Sequence, residues 1–409
     1  MVRFFKIITS AIIITAAAYV ILIFFQLNAL DKIIKKHSNE SFHIYAIECE
    51  SLDSALFSRS VKILVGFDQN KQLSSPFLEM KGKFTPGLFP SAELKAIPLV
   101  PRNEIFAKAD LKLNLDFDYL VNLKKAKLSW NKVQEKGEVL GDGYLSADID
   151  FDKDKRIFRN LDIKGKLDEA KFLWDGGLYY LGKNSLKYSY QDEPRKFSFI
   201  YKSNGDRIEA DFSLPQINGP YFYKYAINNT NKENISEYEF KCKDLVIDAD
   251  TLPSVDFYIK GNFITPSEVW MPCIFSKLIG AAEFLALPGT CPFESSVNSM
   301  ENLSFEDIRG KILAFNLSWK GADIKIKGEF GQNKSFDGNF EVIVDFDKEL
   351  KPEKDSYIAQ QVTDELKNYM DILASEGAFK KLNDNSYKTD LQIKLIDGRL
   401  RITGNGVEL

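Results

Sequence analysis

Four cysteines, Cys49, Cys242, Cys273 and Cys291, are the side chains of this 409-residue chain whose type most directly implies covalent chemistry. Four thiols allow three pairings. Cys273 and Cys291 bracket IFSKLIGAAEFLALPGT, and each neighbours a proline, Pro272 or Pro292. A local disulfide closing that loop is the expected pairing, worth roughly 3 kcal/mol in the chain-entropy account. Cys49–Cys242 then pairs by elimination and would tie an early strand to the middle of the chain. The alternative is four reduced thiols packed as small apolar groups, which a reducing compartment would favour. No C-x-x-C occurs, so neither zinc nor dithiol redox chemistry is indicated.

Carboxylates are the next candidates. Asp148-Ile-Asp-Phe-Asp-Lys-Asp154 has the acidic rhythm of a calcium loop, but such a loop needs glycine at its sixth position and an acid at its twelfth. Here those positions hold Lys153 and Arg159, and the intervening Ile149 and Phe151 make the run the wet face of a strand. The only histidines, His37 and His43, lie close together near the N-terminus, which argues against a histidine-based triad or metal site in the rest of the chain. No G-x-S-x-G, P-loop, dinucleotide-binding glycine set or H-E-x-x-H is present. The sequence therefore assigns no catalytic residue, no metal ligand and no cofactor. With a net charge of −4 and both signs interspersed, it also lacks the clustered lysines and arginines of a nucleic-acid surface.

The element that positions everything else is Ile7–Leu27, a run without a charged residue, preceded by Arg3 and Lys6. As a helix it would rise about 30 Å, the thickness of a bilayer's hydrocarbon core. The run continues past Ala16 and Ala18 into Tyr19–Phe25, so an uncleaved signal anchor is expected rather than a cleaved signal peptide. Lys32, Lys35 and Lys36 nearly balance Arg3 and Lys6. The rest of the chain decides the orientation, because it is β-rich, bears the cysteines and has no second long apolar run. The expected layout is a cytoplasmic N-terminus (1–6), a transmembrane anchor (7–27), a stalk (28–43), a β-rich periplasmic body (44–350) and a closing helix and hairpin (351–409). The lysine- and asparagine-rich composition with this short N-terminus suits a bacterial protein.

Beyond the anchor the apolar period is two. Tyr45, Ile47 and Cys49 begin it; Val61, Ile63, Val65 and Phe67 continue it. Ala109–Phe117, Leu145–Phe151, Ile208–Leu214, Tyr238–Cys242, Leu313–Trp319, Ala322–Ile326 and Phe340–Phe346 repeat it. Each such strand has one apolar and one polar face, which predicts antiparallel pairing. Residues 74–101 carry five prolines and are expected to form an edge strand or a long loop with Phe77, Leu88, Phe89 and Leu94 packed. A partner-binding loop is the alternative there. Ile274, Leu278, Ala282 and Leu285 predict a short apolar helix over about 274–287. Ile358, Val362, Leu366, Tyr369, Met370 and Leu373 predict a helix capped by Asp355 or Ser356 and stopped by Gly377. Tyr387–Leu395 and Leu400–Ile402 predict a hairpin about Asp397-Gly398. The fold class is thus mainly β with minor α: an N-terminal transmembrane helix, a large curled antiparallel sheet, a short apolar helix and a C-terminal helix with its hairpin.

Two segments carry a family resemblance. SALFSRSVKILV, Ser54–Val65, resembles the segment that opens the YdgA-like family (bacterial domain of unknown function 945), with Ala55 where that family has glycine and without its preceding arginine. Ile372–Leu409 is similar to the family's ending: a glycine after a helix, a tyrosine-led strand and an asparagine-glycine close. The resemblance implies an inner-membrane-anchored periplasmic protein and transfers no catalytic residue.

These readings converge on a non-enzymatic envelope protein. It would be joined to the membrane through residues 7–27 and would bind a lipid or an envelope protein. One alternative is an assembly module acting through homo-oligomerisation and exposed sheet edges. The other is an envelope hydrolase whose carboxylate site the sequence does not mark.

Overall fold

A computed structural model describes residues 2–37, 40–42, 45–55, 57–69, 72–99, 108–152, 157–174, 177–191, 196–207, 216–229, 233–246, 252–266, 309–333, 335–346, 356–396 and 399–409, with side chains in the N-terminal helix described from Ala18. The expected helix at 274–287, the alternation over 208–214, and both Cys273 and Cys291 lie outside these residues. The chain is mainly β, with a large antiparallel sheet and, among the described residues, two helices. It divides into two compact units, Met1–Phe151 with Asn160–Leu167, and Asp152–Arg159 with Asp168–Leu409. The β-rich stretch expected over 44–350 is thus shared between two units.

In the first unit the strands Glu40–Phe42, Tyr45–Ala55, Ser58–Gln69, Gln72–Thr85, Ser91–Pro98, Leu111–Phe117, Leu123–Trp130 and Gly143–Asp152 pair antiparallel in that order. The proline-rich stretch is therefore neither an edge nor a long loop, because Gln72–Thr85 is paired on both sides. Its prolines sit where no ladder donor is needed. Pro76 stands at a register shift opposite Gly66, Pro86 and Pro90 flank the connection, and Pro98 ends the next strand. Leu94 is buried as expected, but Leu88 and Phe89 project into solvent. The acidic run is a wet strand face: Asp148 is paired with Lys125 and Asp150 with Lys124.

The N-terminal helix, Val2–His37, packs its second half onto this sheet. Ile23, Leu27, Leu30 and Ile34 recur at helical spacing and are buried with Val61, Phe84, Ala92 and Val121. Each such side chain contributes about 2 kcal/mol by removal from water. Residues 28–37 continue the helix, as the sequence suggests, but they are docked on the sheet, and the last turn of the expected anchor belongs to the body. The stripe at 23, 27, 30 and 34 explains this, since a face that finds an apolar sheet has no reason to stay free. Among the described residues no helix is long and apolar enough to cross a membrane. The side chains of Ile7–Ala17, most of the expected span, are not among those described.

In the second unit the meander continues through Lys183–Gln191, Lys196–Gly205, Tyr221–Asn229, Glu233–Val246, Val255–Pro266, Arg309–Trp319, Ala322–Asn333, Ser335–Phe346, Ser386–Ile396 and Arg399–Gly404. The register shifts between Lys260 and Gly261. The C-terminal helix, Ser356–Ser375, ends with Gly377 at φ +85°, a conformation that costs glycine little. Met370 and Leu373 are buried as expected and Leu366 packs beside them, but in the first turns Ala359 and Thr363 are buried in place of Ile358 and Val362, and Tyr369 faces outward. Thr363 can be buried because its hydroxyl donates to the Ala359 carbonyl (2.6 Å) and accepts from the Trp319 indole N–H (3.0 Å). The helix seats on Phe340, Val342, Val344, Phe346 and Tyr387.

Candidate ligand-binding face

Side chains directly opposite each other on antiparallel strands share a face. In the second unit this builds continuous rows. One runs Leu186, Tyr201, Tyr225, Tyr238, Gly261, Ile312, Gly328, Phe340 and Leu391. The next runs Ser203, Tyr223, Phe240, Ile259, Phe315, Ile326, Val342 and Thr389. The rings touch along and across these rows: Tyr201–Tyr223 (5.9 Å between centroids), Tyr223–Phe240 (6.3 Å), Phe240–Phe257 (5.7 Å) and Phe257–Phe315 (5.4 Å, edge to face). Such contacts add to what area burial alone provides. Glycine alternates with the largest rings for a steric reason. A Cβ on Gly261 would come within 2.3 Å of the Tyr238 hydroxyl, and one on Gly310 within 2.2 Å of the Phe330 ring, so those rings lie down over the bare backbone.

The C-terminal helix buries the Phe340–Phe346 end of this face. Tyr201, Tyr223, Tyr225, Tyr238, Phe240, Phe257 and Phe315 remain half-buried, and Tyr221 at the neighbouring row is buried. Burial pushes the hydroxyls of Tyr188, Tyr201, Tyr223, Tyr225 and Tyr238 up from their ordinary titration range. The Tyr201 hydroxyl donates to Asn184 Oδ1 at 2.6 Å. Chemically this is a broad apolar surface with a few polar atoms set into it.

A depression of about 530 Å³ is lined by polar residues of the opposite face, Asn262, Arg309, Lys311, Glu329, Asp337 and Asn339, together with Ile264, Phe330 and two glycines. Its cations are already matched, Lys311 with Glu329 (3.1 Å) and Arg309 with Glu233 (2.8 Å). Four carboxylates titrate below their usual range. Asp110 is held down by Lys95 and Lys112, Glu341 by Lys388, and Asp371 by Tyr387 and Lys381. Asp345 is pushed up by burial, but hydrogen bonds from Ser386 and Lys325 more than offset this. A general acid needs the opposite displacement. Among the described residues no cluster of histidine, cysteine or acidic side chains could hold a metal ion.

The expected Cys49–Cys242 bridge is not formed. Cys49 packs against the first unit's core, and Cys242 is buried with Ile217 and Tyr221 in the second, each as a small apolar group. Burial pushes the Cys242 thiol up to about 11. Below pH 9, where the unfolded thiol begins to ionise, the neutral group costs the fold nothing. As the pH rises from there towards 11, the unfolded chain gains the thiolate first and stability falls. Cys242 is therefore expected to resist iodoacetamide at pH 9 in the native protein and to react at once in urea, read by peptide mass spectrometry. Equal labelling in both conditions would contradict its burial.

No protein-family model matches the chain, and neither a curated protein nor a solved structure is significantly similar to it.

Proposed function

We propose that this protein is a non-enzymatic component of the bacterial envelope. Its N-terminal helix would hold it in the inner membrane with its bulk in the periplasm, and it would bind the acyl chain of a lipid along the second unit's aromatic face. The observation that carries the reading is that face itself. Tyr201, Tyr225 and Tyr238 stand opposite one another on three successive strands, Tyr223 and Phe240 lie beside them, Ile259 and Ile312 carry the apolar face on to Phe315, and the C-terminal helix covers its far end. A hydrocarbon chain needs apolar contact and no directional partners, which such rows supply over a long path. The uncharged run Ile7–Leu27 supports the location, and so does the likeness of Ser54–Val65 and Ile372–Leu409 to the YdgA-like family. Binding of this kind breaks no bond, in keeping with carboxylates tied to lysine and hydroxyl partners.

The test is photo-crosslinking of the full-length protein in vesicles containing phospholipid with a diazirine in its acyl chain, with the adducts located by peptide mapping. Adducts on peptides carrying Tyr201, Tyr223, Phe240 and Phe257 are expected. Adducts confined to the N-terminal helix would leave the anchor standing and remove the lipid-binding face.

A further inference from the structure

The most exposed apolar side chains of the first unit's sheet gather at one end of it, while Leu99 and Leu145, less exposed, lie elsewhere. Successive hairpins turn there at residues 56–57, 86–90 and 118–122, and their tips carry Phe57, Leu88, Phe89, Tyr119 and Leu120. Phe89 is 91% exposed and Leu88 67%. Polar residues would serve a merely solvated turn better.

The tips are held, and at a cost. Pro86 and Pro90 are buried on either side of Leu88-Phe89. Between them Gly87 is clamped through its own N–H and C=O by the fully buried amide of Gln26, at 2.8 and 2.9 Å. The same amide donates to the Tyr119 carbonyl at 3.2 Å. In the third tip Val121 has φ +62°, a strained conformation for a β-branched residue. Asp118 accepts hydrogen bonds from the N–H groups of Leu120 and Asn122 (2.9 and 2.8 Å) and fixes that turn. The strain tucks Val121 under the helix and leaves Tyr119 and Leu120 outside.

The N-terminal helix leaves the body at this same end. Asp31 meets Arg59 within the sheet (3.3 Å), Gln26 lies level with the tips, and the residues before it run on past them. Tyr19, Ile21, Phe24 and Phe25 are exposed there. Because Ile23 and Leu27 are buried in the body, Ile7–Leu22 is what remains to cross a bilayer. Sixteen residues rise about 24 Å, against roughly 30 Å of hydrocarbon core. An apolar collar sunk into the bilayer surface makes up that shortfall, and tyrosines are suited to that depth.

We propose that the hairpin tips bearing Leu88-Phe89 and Tyr119-Leu120 form a membrane-inserting collar around the emerging helix, seating the first unit on the lipid surface. The proposal rests on the membrane-anchor reading. Its test is the full-length Phe89→Trp variant in phosphatidylethanolamine–phosphatidylglycerol vesicles, with the parent protein's fluorescence subtracted. The added emission is expected to be blue-shifted and quenched by lipids brominated close to the headgroup more than by lipids brominated at the chain end. Water-like emission quenched by iodide overturns the collar while vesicle flotation keeps the anchor. Blue-shifted emission indifferent to bromine, with position 89 cross-linking between copies, assigns the surface to a second copy and overturns it equally. Failure of the protein to float with vesicles overturns both readings.

Discussion

Tyr387→Ala is expected to cost about 4 kcal/mol, a large share of the roughly 5–15 kcal/mol that keeps a domain folded. Tyr387 is completely buried where the C-terminal helix meets the last long hairpin. Its ring stands edge-on to Phe346 (5.8 Å, 87°), and its hydroxyl donates to Asp371 Oδ1 on the helix at 2.6 Å. The Lys381 ammonium lies 5.6 Å from the ring centroid and also reaches Asp371 at 3.2 Å. Truncation empties a site that helix and sheet close from both sides. Tyr387→Phe keeps the ring and removes only the hydroxyl, for about 1 kcal/mol, because Asp371 can turn to water. Urea denaturation monitored through Trp319, whose indole reports the helix contact at Thr363, measures both. Equal losses for the two variants would show that the hydroxyl, and not the packing, holds the helix.

Gln26→Leu is expected to destabilise the first unit by about 3 kcal/mol, since it strands the buried Gly87 N–H and two carbonyls that one amide now serves. The substitution makes the apolar run of the sequence more uniform, so a helix that merely sat in a bilayer would be indifferent or improved. A helix docked on its sheet should instead open, with faster hydrogen exchange over residues 26–37 and new protease cleavage after Lys32 or Lys35. Asn28→Ala, on the exposed side of the same turn, should change neither. Unaltered exchange in Gln26→Leu would show that the clamp carries no load.

Gln26 also marks where the sequence stops being legible. It lies inside a stretch whose length and lack of charge predict a span, and nothing local says that its amide finds partners 61 and 93 residues away. The strands were readable wherever one face is wet. Leu111–Phe117 alternates in burial as it does in hydropathy, and Tyr387–Leu395 pairs back through Leu400 and Ile402 as anticipated. Prolines misled because composition does not reveal a bulge, and Pro76 sits in one opposite Gly66. Thr363 shows a milder form of the same problem: its polar type hides a burial that only Trp319 and the Ala359 carbonyl make acceptable. The aromatic face was partly visible. Its rings stand out in the sequence, but their alignment into rows depends on registers accumulated hairpin by hairpin, which no single strand encodes.

The hairpin-by-hairpin order of pairing has a consequence for how such a molecule is made. In each unit a strand's ladder partner is, with few exceptions, the strand before or after it, so few loops must close before contacts reward them. A chain that emerges N-terminus first during synthesis can lay down pleat after pleat as residues arrive, each new edge covered by the next segment to emerge. The tyrosine that locks the second unit shut is delivered after the strands it closes upon, so the seal forms only once its seat is in place.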